Sequence, residues 1–198
     1  VERSRGLGDV YKRQPVDDAI GYIKKTVIGD VMNIKKVRVD KEGTGMGWGA
    51  VYAQYLESMD QIGEQGNGLS VSRQLYKGDE ALNESAPLKV GDKITVRLTV
   101  KADRDMDFVQ IKDDRAACME PLQAVSGFRW SNGLGYYQAT KDASTQFFID
   151  QMRKGTYVIE YQVYVNRTGE YQAGIATVQS AYAPEFGGHT GGYRVMVE

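Results

Sequence analysis

Along Lys93–Lys101, KITVRLTVK, apolar and polar positions alternate without a break: Ile94, Val96, Leu98 and Val100 fall on one side, and lysine, threonine and arginine on the other. Successive side chains of a strand point to opposite faces, so this pattern predicts a half-buried β-strand. Tyr157–Val165, YVIEYQVYV, repeats it with Tyr157, Ile159, Tyr161, Val163 and Val165, and Tyr193–Val197, YRVMV, does so again near the C-terminus. Shorter candidates are Gly21–Val27, Ile34–Val39, Ala50–Leu56, Leu69–Leu75, Phe108–Lys112, Thr145–Ile149 and Gly174–Tyr182. The stretches KEGTG, GEQGNG, YKGDE, SNGLG, RKGT and NRTGE read as turns between them. Short strands at regular spacing with glycine-bearing turns predict an all-β, antiparallel β-sandwich. At Asp17–Lys25, Ile20 and Ile23 could share a helical face, but the strand reading is preferred there. Ile62–Gly68, IGEQGNG, reads as a linker. The candidates before it are too few for an independent domain, whereas those from Leu69 onward suffice for a closed sandwich.

Composition agrees with this picture. The chain has 13 tyrosines and 23 glycines, which suit pleated half-buried surfaces and tight turns. Charge narrows the function classes. Lysine plus arginine number 25 against 26 acidic residues, a net charge of −1. No field of one sign exists to draw in nucleic acid, and the short apolar runs predict no membrane-inserted helix. The single cysteine, Cys118, excludes an intramolecular disulfide and any multi-cysteine metal site.

Candidate chemistry is sparse. Asp103, Asp105, Asp107 and Asp114 occupy the first, third, fifth and twelfth positions of a calcium-loop template. The sixth position, which needs glycine for a sharp turn, is Phe108, and the stretch reads better as a solvated turn leading into a buried strand. His189, the only histidine, has no serine or cysteine tied to it by a recognised pattern and reads as a surface-loop residue. Cys118 reads as a small buried or half-buried side chain. Gly43–Ala50, GTGMGWGA, lacks the spacing of a phosphate-binding loop. Asn166-Arg167-Thr168 matches a glycosylation triplet of a kind that arises by chance. No catalytic residue, metal site or cofactor is expected.

From Val16 onward the chain resembles the C-terminal end of bacterial alpha-2-macroglobulin family proteins, in the form common in Bacteroidetes-type bacteria. The resemblance is carried by AIGYIKKT, MGWGAVYAQYLE and LKVGDKITVRLTVKADRDMDFVQIKDDRAACMEP, then by GLGYYQATKDASTQFFIDQMRKGTYVIEYQVYVNRTGEYQAGIATVQSAYAPEF and YRVMVE, in collinear order. It implies that residues 15–66 are the C-terminal part of a CUB-like β region following a missing thioester-type helical domain, and that residues 67–198 are a closing macroglobulin-type sandwich. It implies a non-catalytic portion of an endopeptidase inhibitor, a protease trap of the periplasm or cell envelope. Its partners would be the upstream domains of the same chain and, through the full-length protein, target proteases. The family thioester forms between Cys and Gln in a C-G-E-Q pattern. IGEQ has Ile62 where the cysteine must stand, so no thioester can form there.

Tyr136 and Tyr137 are candidate domain-interface residues, because adjacent residues of a strand face opposite ways and exposed aromatics favour interfaces. A β-sandwich adhesion or glycan-binding module of a bacterial surface protein is the alternative class. The stretch RGLGDVYKRQP, Arg5–Pro15, stands apart. DVYKRQ resembles the translation of a sequencing-library adapter, so residues 1–14 are expected to be non-native or disordered.

Overall fold

The computed structural model describes residues 24–29, 34–52, 54, 56–83 and 86–198. The chain divides into two units, Val1–Tyr55 and Leu56–Glu198. Among the described residues, strands occupy only the second: β1 (Gln65–Asn67), β2 (Leu69–Lys77), β3 (Glu80–Ala81), β4 (Lys93–Ala102), β5 (Met106–Asp114), β6 (Met119–Pro121), β7 (Gly127–Ser131), β8 (Leu134–Thr140), β9 (Ser144–Met152), β10 (Gly155–Val165), β11 (Gly169–Ala173), β12 (Ala176–Ser180), β13 (Gly187–His189) and β14 (Tyr193–Val197). A 3₁₀ turn at Met59–Gln61 precedes them.

Two of the three strongest alternations became neighbouring strands, and the third, β14, pairs with β11. β4 pairs antiparallel with β10 from Tyr164↔Lys93 to Gly155↔Ala102 and with β2 along its other edge. Hydrogen bonding runs β6-β10-β4-β2-β1-β13-β12-β5-β9-β8-β7, with β3 beside β2 and a separate β11-β14 pair. This path folds back on itself. Ile94, Leu98, Ile159 and Val163 of one layer and Ile111 and Phe147 of the other are fully buried, and Phe147 of β9 meets Tyr161 of β10 with ring centroids 5.9 Å apart. The fold is all-β, an antiparallel sandwich.

Two adjacent strands change phase at the same level. On β5, Met106 and Val109 are both buried while Asp107 and Phe108 both point out; on β9, Ile149 and Met152 flank outward Asp150 and Gln151. Phe108 sits in the left-handed region at φ 54°, an uncommon place for a bulky side chain. The position that lacked the expected glycine thus takes a glycine-like conformation anyway.

Three expectations are corrected. Ile62–Gly68 is not a linker: it contains β1, which pairs with β13 through Gln65↔His189, Gly66↔Gly188 and Asn67↔Gly187, and Gly192 donates to the Ile62 carbonyl at 3.2 Å. His189 is half-buried on β13 rather than in a surface loop. Ile34–Val39 forms no strand, and neither do the described residues of Ala50–Leu56 or Lys24–Val27. Val39, Trp48 and Tyr52 are almost wholly exposed, and alternation alone does not make a strand without a neighbour for its backbone groups. Residues 1–14, residues 21–23 of the first strand candidate and the helix considered at Asp17–Lys25, apart from Lys24 and Lys25, lie outside the described residues.

Candidate functional site

The β7–β8 hairpin is built on a two-residue turn. Asn132 and Gly133 both have positive φ, 49° and 78°, as the primed turn that matches strand twist requires. Register follows from the turn: Ser131↔Leu134, Arg129↔Tyr136 and Phe128↔Tyr137 are opposed. Asn132 Nδ2 also donates to the Val158 carbonyl of β10 at 3.2 Å, tying the hairpin tip to the facing layer.

Alternation separates the two candidate tyrosines. Tyr136 points inward, 5% exposed, edge-on to Phe147 at 5.6 Å. Burial pushes its phenol pKa up. Tyr136 is a core residue and offers no surface. Tyr137 points outward and is half-buried beneath the ring of Phe128, 5.1 Å away at 74°. Phe128, Trp130 and Val125 are each more than three-quarters exposed. Tyr137 also opposes Phe148 of β9, so an aromatic row crosses β7, β8 and β9 on the outer face. Phe128, Trp130 and Val125 were missed from sequence. The available signal was Asn132-Gly133 flanked by alternating aromatics.

Buried polar contacts support this face from behind. Arg129 Nε donates to Oε1 of Gln138 at 3.0 Å, and Gln138 is 3% exposed. Arg115 reaches Thr145 Oγ1 at 2.6 Å and the Asp142 carbonyl at 2.8 Å, clamping the β8–β9 turn. Deeper in the sandwich, the Arg73 guanidinium of β2 pairs with the Asp113 carboxylate of β5 and donates to the Gly174 carbonyl at 2.5 Å. The Tyr161 hydroxyl donates to Asp113 Oδ2 at 2.7 Å, and Arg73 lies 4.6 Å from the Tyr193 ring centroid. Burial pushes the Asp113 carboxyl up, while Arg73 and the Tyr161 hydroxyl pull it back. Burial also works against the charge on Arg73, and Asp113 together with Tyr193 and Tyr161 more than offsets it. The Tyr193 phenol is pushed up to about 12, chiefly by burial. The cluster links the layers and is closed around its own partners.

The other nominated residues do not converge. Asp103 pairs with Arg104, Asp105 accepts from the Lys154 amide, Asp107 projects from β5 and Asp114 takes Lys112. Among the described residues no three His, Cys, Asp or Glu side chains are grouped to hold a metal. Cys118 is fully buried, and burial raises its thiol pKa, away from the reactive thiolate. Asn166 is taken up by Glu120 at 2.6 Å. The glycines of residues 43–50 are exposed. No helix among the described residues is long and apolar enough to cross a membrane.

The described residues from Leu56 onward form an antiparallel all-β sandwich whose outer face carries exposed aromatics, and that is the class the fold defines. Comparison with known proteins gives the class its family. Residues 68–185 match the model of the bacterial alpha-2-macroglobulin MG10 domain, and the chain belongs to that family. Among solved structures it is similar to a Salmonella alpha-2-macroglobulin reacted with methylamine, with 20% identity and TM-score 0.57, over 68% of this chain and 10% of that one. It is also similar to a native Escherichia coli alpha-2-macroglobulin spanning MG7 to the C-terminus, with 17% identity and TM-score 0.58, over 68% of this chain and 24% of that one. The E. coli protein activated by porcine elastase gives 16% identity and TM-score 0.59, over 69% and 14%. These likenesses concern the fold. A curated relative, Circularly permutated Ras protein 2 of Dictyostelium discoideum, is 28% identical over 166 residues, 80% of this chain. The chain spans 4% of that protein's length.

Proposed function

We propose that this chain is the C-terminal, non-catalytic portion of an alpha-2-macroglobulin-like endopeptidase inhibitor of the bacterial cell envelope, and that its sandwich packs against the thioester-type domain of the longer protein. The observation that carries the reading is the aromatic outer face of the β7–β8 hairpin, Phe128, Trp130 and Tyr137, on a domain of the MG10 family. Exposed aromatics of this kind anchor interfaces. Tyr137, not Tyr136, is the tyrosine available to shield a neighbour. Residues 15–66 are read as the returning part of a CUB-like β region whose last residues, Gln65 and Gly66, enter the sandwich as part of β1. In support, Val39, Trp48, Val51 and Tyr52 stand exposed, apolar surface that a neighbouring β layer would cover. Target proteases act through the longer protein, and this portion carries neither a bait segment nor a thioester cysteine.

The test is Tyr137→Ala and Trp130→Ala in the full-length parent, followed by the rate at which methylamine consumes its thioester. Faster consumption is expected. An unchanged rate in both variants overturns the shielding role. A glycan-binding module is the second reading. It has one observation in its favour: the row Phe128–Tyr137–Phe148 continues into Gln110 and Gln179, amides that can donate and accept together. Saturable oligosaccharide binding lost in Trp130→Ala supports that reading instead.

A further inference from the structure

The sheet path ends in two edges, and they are built differently. β6 is three residues long and terminates in Pro121. The carboxylate of its Glu120 is held by Tyr164 and Asn166. Shortness, proline and charge are the usual protections of a free edge. β7 is longer, at five residues, and neither proline nor an outward charge protects it. It contains no proline, lysine or acidic residue, and among the described residues its backbone bonds only to β8. Its one charged side chain, Arg129, is turned to the other face and tied to Gln138 and to the Val125 carbonyl.

The turn decides which backbone groups are free. With a two-residue loop, Ser131 and Leu134 form a hydrogen-bonded pair, and bonded pairs recur at every second position. Arg129–Tyr136 and Gly127–Gln138 are therefore bonded. Phe128 and Trp130 direct their N–H and C=O groups away from β8. The same two residues present side chains 82% and 77% exposed. Backbone valences and apolar surface thus coincide at one edge.

We infer that β7 is a strand-addition site, and that its occupant is an extended polypeptide segment of apolar–acidic–apolar pattern. An added strand supplies partners for the Phe128 and Trp130 backbone groups. Its apolar residues lie opposite Phe128 and Trp130, about 4.5–5.5 Å away between Cβ atoms, and prolong the aromatic row. The residue between them faces the opposite side, beside Arg129, where a carboxylate complements the guanidinium. The inference rests on reading the β7–β8 hairpin as the interface of the sandwich, and it adds the chemistry of the partner.

The test uses the 198-residue chain and the capped peptide acetyl-Thr-Val-Glu-Val-Thr-amide. Hydrogen exchange at the Phe128 and Trp130 amides is followed by NMR. Saturable protection of these two amides is expected. It is lost when the peptide amides facing β7 are N-methylated, and it weakens several-fold when the central glutamate is replaced by lysine. Arg129→Gln in the chain removes that preference between glutamate and lysine. Unchanged exchange, or equal binding by the N-methylated peptide, overturns the inference. So does protection arising from self-association without peptide, seen as a dimer by sedimentation, because the occupant is then a second copy. If Trp130→Ala exposes the parent thioester while both amides stay unprotected in the parent, the interface reading stands and strand addition falls.

Discussion

The guanidinium of Arg73 reaches from β2 across the sandwich to the carboxylate of Asp113 on β5, and both side chains are at most 5% exposed. Neither charge has water to fall back on. Removing one partner leaves the other buried and uncompensated, which costs about 3–5 kcal/mol. Arg73→Met is expected to lower unfolding stability by that order in urea titrations. The double variant Arg73→Met/Asp113→Leu is expected to be less destabilised than the sum of the single variants.

Tyr136 and Tyr137 are neighbours in sequence with opposite roles in stability. Tyr136→Ala empties core space against Phe147, and large aromatic truncations of that kind cost about 3–5 kcal/mol. Tyr137→Ala removes an outward ring and is expected to cost under about 1 kcal/mol, as surface changes do. Denaturation midpoints of the two variants check the contrast. Equal losses contradict the assignment of faces.

Tyr193 sets an alkaline limit. Its folded-state pKa, near 12, lies above the ordinary value of 10. The folded protein therefore keeps a proton that the unfolded chain releases. The corresponding stability is complete below pH 10 and falls as pH rises from 10 towards 12. Tyr193→Phe is expected to flatten the decline in this window, measured as thermal midpoint against pH. A slope identical to that of the parent chain contradicts this role.

Gly188 marks a crossing of backbones. A Cβ there would stand 2.7 Å from the carbonyl oxygens of both Gln65 and Leu69. Neither is the end of a flexible side chain, so the clash cannot be relieved by a rotamer change. Gly188→Ala is expected to detach β1 from β13, seen as faster amide exchange at the β1–β13 ladder, with exchange in β4 and β10 unchanged.

Trp130 and Gly135 show the same close approach on the surface. A Cβ at Gly135 would come within 2.9 Å of two atoms of the Trp130 ring. That ring is free to move outward. Gly135→Ala is therefore expected to change Trp130 fluorescence while costing less than the about 1–3 kcal/mol of a buried clash.

Short-range periodicity is legible in the amino-acid order alone, and it carried part of this fold. The alternations of Lys93–Lys101, Tyr157–Val165 and Tyr193–Val197 are β4, β10 and β14, because a strand with one buried face must repeat every two residues. The all-β class and the family likeness rest on the same local patterns. Tertiary structure decided the rest. β1, β6 and β13 are three residues each, too short for a period to show, and exist because a neighbouring strand takes their backbone groups. Periodicity placed Tyr136 and Tyr137 on opposite faces, but only packing against Phe147 fixed which one faces the core. Ile34–Val39 alternates and yet forms no strand. Arg73 and Asp113 are 40 residues apart, and Phe128 became exposed because β7 is the last strand of the path. A side chain's role there depends on which strand lies beside it, and that is a property of long-range pairing rather than of any local stretch.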